Sequence, residues 1–359
     1  MRDSHRRYLM EISILDTSSA RWNAVLGCCR HDCCHTPGWL RAAEYGDRGK
    51  AYAVHATDGN AHLLVPFIRR ELPGGDWDAV SPYGYGGPVV SDGTSRAFTD
   101  AALSKAVDVL REAGCVSWFI RLHPLINAGW ESSVGAVIEQ GPIVTIDLTK
   151  TEAEHWHETA HSHRCGIVKA KRAGVGVRVD TSLEAMIRFI ELYNQSMSRL
   201  HALEYYYFDE RYYMTLWQEL GTDVQLFVAE EEGQIIGAGL LSVARAMGIL
   251  QSHLFGADTR FLHRQPQKLL IHAQRAWGRE HGHKRLILGG GRTCNGQAED
   301  SLFSFKHRFS PEIHVFKTQR LIVNPQRYAA LCGCGRADET PSGLDGYFPA
   351  YRRQEVALK

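Results

Sequence analysis

Gly59 and Gly233 centre two β-hairpin signatures 174 positions apart, and the same succession of elements follows each of them. In the first half, Ala51 to Ala56 and His62 to Ile68 flank Asp58-Gly59-Asn60, a turn of residues that tolerate positive φ. A Gly/Pro-rich stretch from Ser81 to Pro88 leads to a helical period from about Ala97 to Ala113, with Ala102, Ala106, Val109 and Leu110 on one face, then to a strand from Val116 to Leu122. The second half repeats the order with Gln225 to Ala229, a turn at Glu232-Gly233, Ile235 to Val243, Gly248 to Phe255, a helix from about Gln267 to Glu280 and the strand Arg285 to Leu288. Identity between the halves is negligible, so order alone repeats. It confines the chain to an α/β (α+β) class with two similar domains and mixed, largely antiparallel sheets.

A length of 359 residues with 44% hydrophobic side chains is enough for two packed cores and excludes a disordered or fibrous chain. The 41 basic and 40 acidic residues leave a net charge of +1. No DNA partner is therefore expected, and any RNA contact must be a local patch. No run approaches the roughly 18 apolar residues of a membrane span, and Met1 to Arg7 does not lead into an apolar signal core, so a cytoplasmic protein is expected.

Between the halves lies a helical, basic region. Thr181-Ser182-Leu183-Glu184 has capping-box spacing, and Met186, Phe189, Ile190, Tyr193 and Met197 recur at helical intervals that suit core packing. Beyond Lys317 the pattern gives a strand from Thr318 to Val323, a short polar helix and a tail containing Tyr347-Phe348-Pro349 that could return to the first domain.

Chemistry concentrates in Leu286-Ile287-Leu288-Gly289-Gly290-Gly291-Arg292 and in Asp300-Ser301-Leu302-Phe303-Ser304-Phe305-Lys306. Three glycines after an apolar strand let backbone approach a ligand closely, and Phe305-Lys306 sets an aromatic face beside a compact cation. Such a pair suits a nucleotide or a developing oxyanion. The plainer alternative is a turn followed by a surface lysine. With only ten lysines against 31 arginines, each lysine merits attention.

This block resembles the corresponding motif of the Fem family of aminoacyl-tRNA-dependent amide-forming transferases. Tyr83-Gly84-Tyr85-Gly86-Gly87-Pro88, Thr145-Ile146-Asp147-Leu148, Ile167 to Val175 and Leu192 to Met197 carry further similarity, collinear from about residue 35 to 325. The resemblance implies two tandem acetyltransferase-like (GNAT) domains, residues 1–143 with 319–359 on the acceptor side and 144–318 on the aminoacyl-tRNA side, without a coiled-coil arm. It implies transfer of an amino acid from charged tRNA to an amine of a peptide or peptidyl-nucleotide acceptor, in cell-wall precursor or natural-product synthesis. Phe305 and Lys306 would then meet the terminal adenosine and the reacting ester, with Gly289, Gly290, Gly291, Arg292, Tyr83, Tyr85, Arg121, Tyr206 and Tyr207 binding substrate. No cofactor is implied beyond the aminoacyl-tRNA co-substrate, and a monomer is expected.

At Phe119-Ile120-Arg121-Leu122-His123-Pro124 related sequences often carry an acid before the proline, proposed to accept the amine's proton. Here His123 stands there, as a proton acceptor or as a structural cap. The segment from His161 to Arg178 is poor in acids, and Lys169, Lys171, Arg172 and Arg178 are its candidates for RNA phosphates. Tyr205-Tyr206-Tyr207-Phe208 cannot all face one core, so at least one should line a surface. Cys28, Cys29, Cys33 and Cys34 with His31 and His35 lack the CxxC pairs of a zinc site, and no metal is assigned.

Two other functions remain open at this level. One is an acyl-CoA-dependent N-acyltransferase, which would use a glycine-bearing loop at a helix start to cradle pyrophosphate; the matching stretch Arg260 to Lys268 has no glycine. The other is a twin-domain protein that binds a peptide or nucleotide without turnover.

Overall fold

The computed structural model describes residues 10–291, 300–333, 344 and 346–353. The chain divides into two compact units, Met1–Glu139 with Lys317–Lys359, and Gln140–Phe316.

The first unit opens with β1 (Glu11–Asp16), α1 (Ala20–Leu26), α2 (Pro37–Gly46), β2 (Lys50–Asp58), β3 (Ala61–Glu71), β4 (Trp77–Val80), β5 (Val89–Val90), α3 (Arg96–Glu112) and β6 (Cys115–Arg121). The hairpin expected around Gly59 is the β2/β3 pair, closed by Asp58 opposite Ala61 with Gly59 at φ +64°. Neighbours pair antiparallel from β1 to β4, whereas β4 and β6 are parallel and joined by α3, the long crossover that a parallel pair requires. Leu63, Val65, Phe67, Trp77 and Trp118 of the sheet pack on Ala102, Leu103, Ala106 and Leu110 of α3. The helix therefore buries the face its spacing marks.

The chain continues through β7 (Ala136–Asp147), α4 (Glu152–Glu158), α5 (His161–Arg172), β8 (Gly176–Asp180), α6 (Leu183–Arg199), α7 (Glu210–Leu220), β9 (Val224–Glu231), β10 (Gln234–Ala244), β11 (Ile249–Ala257), α8 (Pro266–Glu280), β12 (Arg285–Gly289) and α9 (Ser301–His307). In the second unit the strand order is β7-β12-β11-β10-β9-β8, antiparallel except for β11 and β12, which α8 connects. Both sheets are thus mixed and largely antiparallel, with one helix-bridged parallel pair each. Glu232 and Gly233 both take positive φ in the β9/β10 turn. The helix expected at Thr181 starts one residue later: Ser182 caps it by accepting from the Ala185 N–H, so the Thr181–Glu184 box does not form. Met186, Phe189 and Tyr193 are buried, as their stripe requires.

β13 (Ile313–Ile322) and α10 (Pro325–Leu331) then complete the first unit, with Thr318 to Ile322 antiparallel to β6. Phe348 of the tail packs with Val116 and Tyr328 in that unit. No helix among the described residues is long and apolar enough to cross a membrane.

Candidate active site

In the second unit a bulge in β12, between Ile287 and Gly289 opposite Thr145 and Val144 of β7, interrupts the ladder just before the glycine run. Gly289 sits at φ +86°, a region open to glycine at little cost. A Cβ on Gly291 would overlap the Asp300 carboxylate, so this backbone and that side chain are in close approach. Asp300 is the N-cap of α9, accepting from the N–H groups of Leu302 at 2.9 Å and Phe303 at 3.0 Å. One turn into α9, the half-buried Lys306 donates from Nζ to the carbonyl of Gly290 at 2.8 Å. Burial lowers its ammonium to about 8, with the Asp300 carboxylate acting in the opposite direction. A lysine ammonium has three donors, so two N–H are without a partner among the described residues.

Phe305 is held from behind. Its carbonyl lies 2.9 Å from Nε2 of His163, a buried residue of α5, and its ring is 5.0 Å from the His163 ring, which in turn stands edge-on to Phe309 at 4.6 Å. Nδ1 of His163 has no partner among the described residues, and burial pulls the ring down to about 4, so it is neutral near pH 7 and donates from Nε2. The glycine run, Asp300, Phe305, Lys306 and His163 form one assembly. Arg292 lies outside the described residues.

The basic segment divides by side. Lys169 and Arg172 line a cavity of about 410 Å³ on the outer face of α5, together with His161, Arg164, Cys165 and Val168. Lys171, expected beside them, instead reaches Nε2 of His272 on α8 at 3.2 Å. Arg178 is corrected as an RNA candidate: it is ion-paired with Asp180 and Glu230, so the charge it would offer a phosphate is already compensated. Tyr206 and Tyr207 belong to a separate exposed turn between α6 and α7, next to Tyr205, whereas Phe208 is buried and stacks on Tyr212 at 4.5 Å.

Before α8, Thr259–Arg264 form a 3₁₀ turn whose entry Asp258 caps by accepting from the Arg260 N–H. The helix then begins at Pro266, which has no N–H, and the Lys268 and Leu269 N–H groups bond to the Gln265 carbonyl. Pro266 thus supplies no donor and two of the next three N–H groups are engaged, which reduces what this helix start offers a pyrophosphate.

In the first unit, Tyr83, Tyr85 and Arg121 gather at the Ser81–Pro88 loop. Arg121 donates to the carbonyls of Ser81 at 3.0 Å and Pro82 at 3.3 Å, and Trp39 Nε1 donates to the Tyr83 carbonyl at 3.1 Å. Gly84 lies against Cys34, where a Cβ would come within 2.7 Å of Sγ. His123 is fully buried. Its Nδ1 accepts from the N–H groups of Leu125 and Ile126 at 3.1 and 3.0 Å, and its Nε2 donates to Asp32 at 3.0 Å. Burial would raise the Asp32 carboxyl, but the facing His123 ring, with His35, holds it well below the usual carboxylate range. With both nitrogens engaged, His123 has no lone pair for an incoming amine. The expectation of a proton acceptor is corrected to a strut between β6 and the segment before α2. Asp32 also caps the turn Cys33–His35. Cys29, Cys33 and Cys34 are buried packing groups, and no cluster of three or more metal-ligating side chains occurs among the described residues.

Sequence reasoning named Lys306, Phe305 and the glycines but passed over Asp300 as a cap, although an acid two and three residues before the first helical N–H groups is a readable signal. His163 and Asp32 gave none, because their partners are distant in sequence.

Residues 158–299 match a family model described as an acetyltransferase (GNAT) domain. No curated protein matches the sequence significantly. Among solved structures the fold is similar to the crystal structure of FemX, at 12% identity and a TM-score of 0.66 over 89% of this chain and 99% of that one. It is similar also to the C-terminal domain of a putative lysylphosphatidylglycerol synthetase from Agrobacterium fabrum, at 14% identity and a TM-score of 0.56 over 84% and 90% of the two chains. L-PGS from Bacillus licheniformis aligns at 14% identity and a TM-score of 0.55 over 86% and 93%. The fold is that of GNAT acyltransferases. Within that class, residues 158–299 are similar to a GNAT domain and the chain as a whole is similar in fold to FemX.

Proposed function

We propose that the protein is an aminoacyl-tRNA-dependent aminoacyltransferase that forms an amide between the amino acid of a charged tRNA and an amine of a peptide or peptidyl-nucleotide acceptor. The observation that carries this reading is the Lys306 ammonium, held on the Gly290 carbonyl in a half-buried position with two donors unpartnered among the described residues.

An aminoacyl ester carries its own activation. The acceptor nitrogen attacks the ester carbonyl, an oxyanion develops, the bond to the ribose oxygen breaks, and that oxygen leaves with the proton the amine gives up. The protein has to align the two groups and stabilise the transient charge. Lys306 is the cation for that oxyanion, Phe305 offers its ring to the terminal adenine, and Gly289 to Gly291 allow the ribose end to approach backbone. The Tyr83, Tyr85 and Arg121 surface is assigned to the acceptor. The lack of a glycine from Arg260 to Lys268 and of an N–H at Pro266 weighs against an acyl-CoA donor, since a pyrophosphate cradle draws on backbone N–H groups there. FemX and the two lysylphosphatidylglycerol synthetase structures share this fold, which is consistent with the reading.

The test is a labelled transfer assay with mixed charged tRNAs and pools of amine acceptors, with and without RNase, beside a parallel run with acyl-CoAs. Transfer that RNase abolishes and Lys306→Ala removes supports the reading. Transfer from an acyl-CoA that ignores RNase overturns it.

A further inference from the structure

A buried carboxylate of the first unit is shared between the sheet and the far end of the chain. Asp78 of β4 is fully buried, and its Oδ1 accepts from Arg70 Nε of β3 at 2.8 Å. Its Oδ2 accepts from Tyr351 Oη at 3.0 Å and from Arg352 Nε at 2.5 Å. A buried carboxylate that loses such partners is costly, so Asp78 holds residues 346–353 down. Three more contacts act with it. Tyr351 Oη meets Ser117 Oγ of β6 at 2.8 Å, the Ala350 N–H donates to Tyr328 Oη of α10 at 2.9 Å, and Arg320 of β13 donates to the Gly346 carbonyl at 2.7 Å.

The same side of β6 leads from this segment to the Ser81–Pro88 loop. Trp77 of β4 lies opposite Cys115 and Ala79 opposite Trp118, so β6 takes three steps where β4 takes two. The extra residue lets both Val116 and Ser117 reach the terminal segment. Beyond it Phe119 and Arg121, two positions apart, share a face. The Phe119 ring has Phe348 at 6.1 Å and carries the Arg121 guanidinium at 5.5 Å. Arg121 in turn holds the Ser81 and Pro82 carbonyls, and its N–H donates to Ser81 Oγ at 2.9 Å, which donates to the Gly86 carbonyl at 3.1 Å. With Gly84, Gly86 and Gly87 in it, the loop depends on such struts for its shape. It rests on Arg121, Arg121 on Phe119, and Phe119 on Phe348.

We propose that residues 346–353 are a positioning strap for the Ser81–Pro88 loop: docked on Asp78, they keep Phe348 against Phe119 and so keep Arg121 on the loop carbonyls, in the arrangement that receives the acceptor. Phe348 and Arg352 are positioning residues that act through Phe119 and Arg121. The coupling of strap to loop stands on these contacts, whereas the acceptor as the loop's ligand rests on the transferase reading.

Amide hydrogen exchange of the full-length protein, read by peptide mass spectrometry, tests the coupling, with the β2/β3 hairpin of the same unit as control. Phe348→Ala is expected to speed exchange at the bonded N–H groups of Ser81, Tyr83 and Arg121 roughly tenfold and to leave the hairpin unchanged. Arg352→Gln, which spares the apolar packing, should do the same to a smaller extent, and Phe348→Tyr should keep the parental rates. In transfer, Phe348→Ala should raise KM for the acceptor about tenfold while kcat and KM for charged tRNA stay within about twofold. Parental loop exchange in both Phe348→Ala and Arg352→Gln, or equal acceleration of loop and hairpin, would overturn the strap. A loosened loop in a protein that transfers no amino acid would keep the strap and remove the transferase reading. Transfer with an unchanged acceptor KM despite a loosened loop would overturn the strap's part in acceptor binding.

Discussion

Lys306 and Gly290 are joined by a 2.8 Å hydrogen bond from ammonium to carbonyl, which ties the last turn of a short helix to the end of a strand sixteen residues earlier. The bond fixes the cation where its proton affinity is lowered to about 8. If the cationic form stabilises the oxyanion, activity falls as pH rises through about 8, because the neutral amine no longer offers charge. Single-turnover transfer, corrected for spontaneous ester hydrolysis, should show that limb. Lys306→Arg should move it above the accessible range, and Lys306→Ala should lower the rate by about 10²- to 10³-fold. An unchanged rate in Lys306→Ala would remove the residue from the chemistry.

His163 acts on the same helix from the other side. His163→Gln retains an amide donor with different reach and His163→Phe retains only the ring, so the second should cost about 1–2 kcal/mol more in denaturant unfolding. Transfer in His163→Phe should fall through kcat with little change in KM for the acceptor, and the glutamine variant should recover part of the loss. A loss confined to stability would make His163 a packing residue only.

Acid should weaken the fold through buried imidazoles. His55, His163 and His272 are each pulled down to about 4, chiefly by burial, from 6.5. Such a ring binds no proton in the fold where the unfolded chain binds one, so stability is unaffected above about 6.5 and falls as pH drops toward 4. Melting temperatures across pH 7 to 4.5 should show this slope, and His272→Gln should flatten it.

Backbone freedom at the glycine run is a further requirement. Gly291→Ala would drive a methyl group into the Asp300 carboxylate that caps α9, and Gly289→Ala would place an L residue at φ +86° at a cost of about 1–2 kcal/mol. Both should depress transfer more than RNA affinity. Wild-type rates in the two variants would show that no ligand approaches this backbone.

In the first unit, removing one side of the Asp32–His123 pair leaves a buried group unpartnered. His123→Ala should destabilise by about 3 kcal/mol, while the pH profile of whatever activity survives stays that of the parent. A vanished acidic limb in that profile would restore the proton-acceptor role.

Much of the architecture was legible because its signals are local. The turns at Gly59 and Gly233 and the spacing on α3 and α6 could be read directly, as could the strand before the glycine run. The helix start at Ser182 slipped by one residue because Thr181 and Ser182 are chemically equivalent as caps, and only the backbone chooses between them. The roles of Lys171 and His123 were not legible, because each depends on a partner far along the chain, His272 and Asp32, whereas Arg178 pairs with nearby Asp180 as well as with distant Glu230. A sequence displays charge, whereas its compensation is a property of the folded surface.

β13 pairs with β6, and Phe348 fills a cluster with Val116, so the first unit is finished by residues made after the whole of the second. On a ribosome the nascent chain up to β6 must wait, with the flank of that strand uncovered, while residues 122–317 emerge at about 5–20 per second. Vectorial synthesis therefore favours an order in which the inserted unit matures first and the split unit closes last. The terminal stretch serves as a latch, and a message truncated before it would yield one sound half and one that chaperones or proteases must handle.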